Sequence, residues 1–235
     1  MEFIIDGFKE AFILIASGDP EVFNITVRTL RVCLTATAVS VLIGVPLGLC
    51  IALKSIPGRE LIFGLVYTGM GLPPVAAGLW VSLIFWRSGP LGSLELMYTP
   101  WAIIIAQAVI AVPVVAGLTV AALHQLHPKL PLQLKALGAS PVQSSVLLIR
   151  ESFFGLLAAV IAGFGSVISE VGAAIMVGGN IKGHTRVLTT ATVLEVARGN
   201  FARAIALTLI LFFVSYAVVF CLVLLQRRRR RIWVQ

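Results

Sequence analysis

Five stretches of this chain, residues 27–53, 61–86, 99–123, 153–177 and 204–225, are almost free of charge, and each approaches or exceeds the roughly 20 apolar residues that cross the hydrocarbon of a bilayer. In lipid every backbone polar group must be satisfied internally, so a chain so patterned is expected to be an all-α integral membrane protein of about five transmembrane helices. Composition supports this and excludes the obvious alternative. Of 235 residues, 59% are hydrophobic and 12% charged, against about 25% charged in soluble domains, which rules out a water-soluble enzyme of this size. The 21 Gly and 11 Pro are scattered among apolar runs, which also rules out a disordered or collagen-like chain. The whole of 1–235 reads as one transmembrane domain.

Ahead of the first span, residues 1–17 form a further expected helix. Ile4, Ile5, Phe8, Ala11, Phe12 and Ile15 fall on one face and Glu2, Asp6, Lys9 and Glu10 on the other, the pattern of a helix lying in the membrane interface. Its start has no basic cluster and no small-residue cleavage site follows, so it is not read as a removable leader. Gly18, Asp19 and Pro20 end it. The three cysteines, Cys33, Cys50 and Cys221, are isolated in apolar stretches and read as packing residues.

Gly69, Gly71, Pro73 and Pro74 in the second span and Pro113 in the third predict helices that are bent or locally broken. Such breaks either line a central path, where exposed N–H groups can meet an anion, or are simple kinks. Gly44 and Gly48, and Gly155, Ala159 and Gly163, recur four apart and allow close helix approach.

The net charge is +8, and five of those charges are consecutive arginines, 227–231, directly after the last span. A basic run abutting a span anchors to anionic headgroups on the cytoplasmic side more simply than it binds nucleic acid. That places 226–235 inside as a basic tail, with 124–152 also inside and the N-terminus and 178–203 outside. Ten Lys and Arg then lie inside, including Lys54, against eight outside, in the sense of the positive-inside rule.

The inner segment 124–152 is more than a turn. Leu130, Leu134 and Leu137 recur at helical spacing, Gly138 ends the turn, and Ser140 before Pro141 starts a second helix. A short helix, a bend and another helix make a partly apolar knob suited to a groove of another protein. On the outer side, residues 178–185 nearly fit a phosphate-binding loop, but His184 stands where Lys is required and no strand precedes it, which argues against ATP binding there. Lys182, His184 and Arg186 make this loop either a contact for an external protein or a departing anion, or merely a polar turn. Glu170 is an acid embedded deep in a span beside Ser169 and Gly172. A carboxylate repels an anion, so it reads as structural, pairing with a base such as Arg28 or holding helix ends together, or else as part of a gate. His124 and His127 lack a third nearby ligand, so no metal site is expected, and no triad spacing suggests nucleophilic catalysis.

The run Ala136-Leu137-Gly138-Ala139-Ser140 resembles the cytoplasmic loop of binding-protein-dependent ABC importer permeases, which docks on the ATPase subunit. Leu132, Gln133 and Leu134 replace the usual Glu-Ala-Ala opening, and Arg150-Glu151 stands where Leu-Pro is usual. More specific is Ile168-Ser169-Glu170-Val171-Gly172-Ala173, followed by Gly178-Gly179-Asn180-Ile181-Lys182-Gly183-His184-Thr185-Arg186-Val187-Leu188-Thr189-Thr190. This resembles the permeases of tungstate-type importers, relatives of molybdate and sulfate permeases, and those departures resemble the same subgroup.

The resemblance implies an ABC importer type I permease fold and a homodimer with its pore on the two-fold axis. It also implies two cytoplasmic ATPase subunits carrying ATP and Mg, an extracytoplasmic oxyanion-binding protein, and residence in the inner membrane of a prokaryote. On that reading Leu134, Lys135, Ala136, Leu137, Gly138, Ala139 and Ser140 couple to the ATPase. Pro73, Pro74, Pro113, Ser169, Glu170 and Gly172 are candidates for the path or gate, and Lys182, His184 and Arg186 for the outer contact. Molybdate or sulfate is the alternative cargo. A gradient-driven secondary anion transporter is the alternative mechanism, against which the halves display no convincing repeat.

Overall fold

A computed structural model describes residues 2–53, 57–127 and 129–233, with side chains described over 4–53, 57–127 and 129–224. Lys54 and the side chains of arginines 227–231 lie outside the described residues. Among the described residues all regular structure is helical: α1 (Glu2–Ala16), α2 (Pro20–Leu53), α3 (Arg59–Met70), α4 (Pro74–Phe85), α5 (Pro100–His124), α6 (Leu130–Ala136), α7 (Pro141–Glu151), α8 (Phe153–Ile168), α9 (Gly172–Gly178), α10 (Leu188–Ala197) and α11 (Phe201–Trp233).

Helix α5 is the axis of the fold, buried along most of its length. Thr99 caps it, its hydroxyl accepting from the Ala102 N–H at 3.4 Å, and Pro100 occupies the first position, where its missing N–H costs nothing. Two helices close on it through glycine. On α2, a Cβ at Gly48 would stand 2.7 Å from Thr119 Cβ, and one at Gly44 would stand 2.9 Å from Val115. On α8, Gly155 and Gly163 leave the same room for Ala122 and Val115. The small residues therefore let three backbones approach closely and gain dispersion contacts along their length.

The expected single span 61–86 is two helices. Gly71 closes α3, its N–H donating to Thr68 O at 3.0 Å, and Pro73 and Pro74 follow, neither able to continue the ladder. Pro74 starts α4, whose axis lies 104° from that of α3, well beyond a proline kink. The fourth stretch is likewise broken, at residues 169–171, into α8 and the short α9.

Other boundaries also differ from expectation. Asp19 accepts the Val22 N–H at 2.9 Å and so starts α2 at Pro20, not near 27; at 34 residues the helix is about 51 Å long. The connection 178–203, read as a loop, contains α10. Its Leu188 and Ala191 pack with Val22 and Ile25 of α2 and Leu207 and Ile210 of α11. The basic tail is not separate from the last span, because α11 runs through to Trp233. Helix α1 is docked on α11 by its smallest residues: a Cβ at Gly7 would stand 2.5 Å from Ile205. Its apolar Ile4, Ile5, Phe8, Phe12 and Ile15 face outward, Phe12 being 75% exposed.

Candidate translocation site

The two helix breaks meet. Gly172 opens α9 against Val75 of α4, where a Cβ would stand 2.9 Å from Val75 Cγ2. One turn on, Gly78 packs so tightly on α9 that a Cβ would stand 2.6 Å from Ala173 Cα. Pro73, Pro74, Ser169, Glu170 and Gly172 are thereby gathered at one junction. Pro113 lies beside it, 2.9 Å from where a Gly69 Cβ would be, near the end of α3.

Glu170 organises the second break. Its Oε1 accepts the Ala173 N–H at 2.7 Å, satisfying an otherwise orphaned donor at the start of α9 with negative charge at the favourable end. Its main-chain carbonyl accepts the Thr189 hydroxyl of α10 at 3.2 Å. Ser169 folds its hydroxyl back onto Gly165 O at 2.8 Å. From α5, Gln107 Nε2 donates to Val167 O at 3.2 Å, on the last turn of α8. Its Oε1 is buried without a hydrogen-bond partner among the described residues. Backbone freed from a helix at such a junction offers N–H and C=O groups to a cavity or a passing solute.

Arg28 does not pair with Glu170. Its guanidinium donates to two carbonyls of the loop after α9, Gly183 O at 2.7 Å and Arg186 O at 3.1 Å. That loop, 179–187, is a built structure. The amides of His184, Thr185 and Arg186 all donate to Ile181 O at 3.0–3.1 Å. Asn180, in the left-handed region at φ 50°, exchanges hydrogen bonds with Thr190. His184 Nδ1 lies 3.2 Å from Tyr98 O, joining the loop to the entry of α5, whereas Lys182 and Arg186 reach Glu21 of α2.

Helices α6 and α7 form the knob. Gly138, at φ 78°, sits in the left-handed conformation that closes a helix and that a Cβ disfavours. Ala139 N–H donates to Leu134 O and Gly138 N–H to Lys135 O, each at 3.0 Å. Ser140 and Gln143 cap each other at the start of α7: Ser140 Oγ accepts from Gln143 N–H at 3.3 Å and Gln143 Oε1 from Ser140 N–H at 2.8 Å. Leu137 is 83% exposed. His124 tilts over Phe63, 6.1 Å between rings, and His127 Nδ1 accepts the Lys129 N–H at 3.2 Å.

Residues 44–231 match the family described as the binding-protein-dependent transport system inner membrane component. The chain belongs to this family. It is 40% identical over 218 residues to the tungstate uptake system permease protein TupB of Peptoclostridium acidaminophilum, covering 93% of this chain and 96% of that one. It is 34% identical over 224 residues to TupB of Campylobacter jejuni, covering 94% and 92%. Among solved structures, the inward-facing MetNI methionine ABC transporter superposes at a TM-score of 0.69 over 86% of this chain and 92% of that chain, with 21% identity; this likeness establishes the fold. The protein is a multi-pass membrane permease.

Several residues of this permease escape sequence reading. Gln107 is an amide in a run of Ala and Ile with no local pattern to mark its bond to α8. Glu21 and Arg203 sit 182 residues apart, and only the folded chain places them 3.6 Å from each other. Val142 and Val146 on the outward face of α7 are the exception: their spacing of four is a legible helical stripe.

Proposed function

We propose that this chain is the membrane subunit of an ATP-driven tungstate importer, acting as a homodimer with two cytoplasmic ATPase subunits and an extracytoplasmic oxyanion-binding protein. ATP and Mg belong to the ATPase partner, the C-terminus lies in the cytoplasm and the N-terminus outside. The two TupB relatives, each matched over more than nine-tenths of both chains, support the cargo. The observation that carries the mechanism is the knob. Leu132, Leu137 and Val142 stand out from the fold with most of their surface uncovered, held by a capped, glycine-closed turn. A rigid apolar projection of this kind is what a groove on a motor subunit grips.

Movement of the knob reaches the path through continuous structure. Helix α7 joins α8 at a 74° bend at Ser152, and α8 ends at the break that Glu170 and Gln107 hold. There α9 bears on α4 across Gly78 and Ala173, so displacement of α8 opens or closes the junction of the two breaks. Two packings of one junction, each favoured by a different nucleotide state of the partner, amount to alternating access.

The test is reconstitution of the chain in proteoliposomes with and without its cognate ATPase and binding protein, followed by radiolabelled tungstate uptake. ATP-dependent uptake that needs both partners is the expected result. Uptake without the ATPase would establish a gradient-driven carrier instead, and competition by molybdate or sulfate as strong as by tungstate would reassign the cargo.

A further inference from the structure

Outside the two breaks, three basic side chains meet one carboxylate, that of Glu21, at the outer end of α2. Lys182 Nζ lies 2.9 Å from Glu21 Oε2, Arg186 Nη1 lies 3.5 Å from Oε1, and Arg203 Nη2 lies 3.6 Å from Oε2. Three cations on one carboxylate leave a local charge of +2. The cluster is open on one side: the Lys182 side chain is 67% exposed and that of Arg186 only 12%. Arg186 Nη2 donates to Asn180 O at 3.4 Å, which fixes the guanidinium, and its Nε is buried without a hydrogen-bond partner among the described residues. The backbone beneath is fixed by the three amides on Ile181 O and by the Arg28 bonds to Gly183 O and Arg186 O. Little ordering is therefore left for a ligand to impose. Arg186 also stands three residues before Thr189, whose hydroxyl holds the Glu170 carbonyl at the break, so the cluster lies within about 11 Å of chain from the candidate path.

We propose that Lys182, Arg186 and Arg203 form an outer acceptor site for a tetrahedral oxyanion dianion, with Glu21 as a resident counter-charge. Three cations converging on the volume of one small anion give the donors that a doubly charged oxygen shell requires, and their surplus matches its charge. Glu21 has two effects. It keeps three mutually repelling bases together when no anion is present, and it weakens the hold on an arriving dianion, so that the anion moves on instead of being trapped. This inference rests on the oxyanion permease reading and gives that reading a first stop inside the permease.

The experiment is equilibrium binding of radiolabelled tungstate to the purified permease–ATPase complex, without binding protein, at low ionic strength. The wild-type complex is expected to bind weakly and saturably. Glu21→Gln removes one negative charge a few ångströms from the dianion and should tighten binding on the order of tenfold. Arg186→Gln and Lys182→Gln should each weaken it by a similar factor. Thermal unfolding of each complex confirms assembly, and Lys182→Gln, on a largely exposed side chain, keeps the test open if Glu21→Gln does not assemble. A plain structural staple predicts that binding, if any, is unchanged or falls in parallel for all three variants, and that result overturns the proposal. So does a complex whose variants alter only its affinity for the binding protein while none binds tungstate, which would make the cluster a protein-docking patch. ATP-driven uptake by the same complex, reconstituted in proteoliposomes with the binding protein restored, separates the two readings. Uptake with no saturable tungstate binding sinks this site alone, whereas neither uptake nor binding sinks the permease reading with it.

Discussion

Gly78→Ala is the most direct test of the junction between the two breaks. A methyl there would stand 2.6 Å from Ala173 Cα and 3.1 Å from its Cβ, whereas carbon atoms rest at about 3.5–4.0 Å. Met176 Sδ, 3.2 Å away, ends a flexible side chain and can yield, but Ala173 Cα is main chain and cannot. Helices α4 and α9 must therefore part by ~1 Å, and a gap of that order forfeits a quarter to a half of the attraction of each contact it opens. Overpacking of this kind costs about 1–3 kcal/mol, which corresponds to a shift of about 5–150-fold in the equilibrium between closed and parted junctions. In proteoliposomes containing the full complex, the variant should leak tungstate without ATP and accumulate less with it. Gly64→Ala is the matched control, because a Cβ there meets nothing within 4 Å and Ala favours the helix by ~1 kcal/mol. If Gly78→Ala matches that control in both leak and driven uptake, the junction is not the gate.

Two further variants probe the elements on either side. Glu170→Ala removes the acceptor of the buried Ala173 N–H and should cost ~1–3 kcal/mol, read as a lower thermal midpoint of the detergent-purified complex, while Glu170→Gln keeps an acceptor oxygen and should recover most of it; equal loss in both would mean that capping is not what Glu170 does. Gly138→Val forces a β-branched residue to φ 78° at a cost of about 1–2 kcal/mol or more, and since nothing else packs there, the spans should survive while the ATPase no longer co-purifies; unchanged retention would dissociate the turn from coupling.

What was legible in the residues follows the range of the forces involved. The break after Gly71 could be read because proline acts on its own backbone, and the turn at Gly138 and Ser140 because its caps lie within four residues of the groups they satisfy. Gly44 and Gly48 announced close packing, though not against which helix. Helix α10 is hidden in the sequence because its ten residues are too few to register as a span. Its start is held from far away in sequence, where Thr29 of α2 accepts the Leu188 N–H at 2.9 Å, whereas Glu195 near its end is held locally by Arg198 and Asn200 at the turn into α11. The pairing of Arg28 with Glu170 was a reasonable match of opposite charges, but a guanidinium is equally content with carbonyls, and Arg28 finds two of them 155 and 158 residues along the chain. Charge complementarity names possible partners, and only topology chooses among them.

The elbow at Ser152 limits how the membrane part can respond to a push. With α7 lying 74° from α8, a thrust along α7 has only a small component along the axis of α8, so α8 swings and does not slide. Sliding would drag its polar ends into hydrocarbon, whereas swinging keeps each residue near its own depth. On the coupling proposed above, the subunit works as a rocker, and the stroke at its far end grows with the length of the arm.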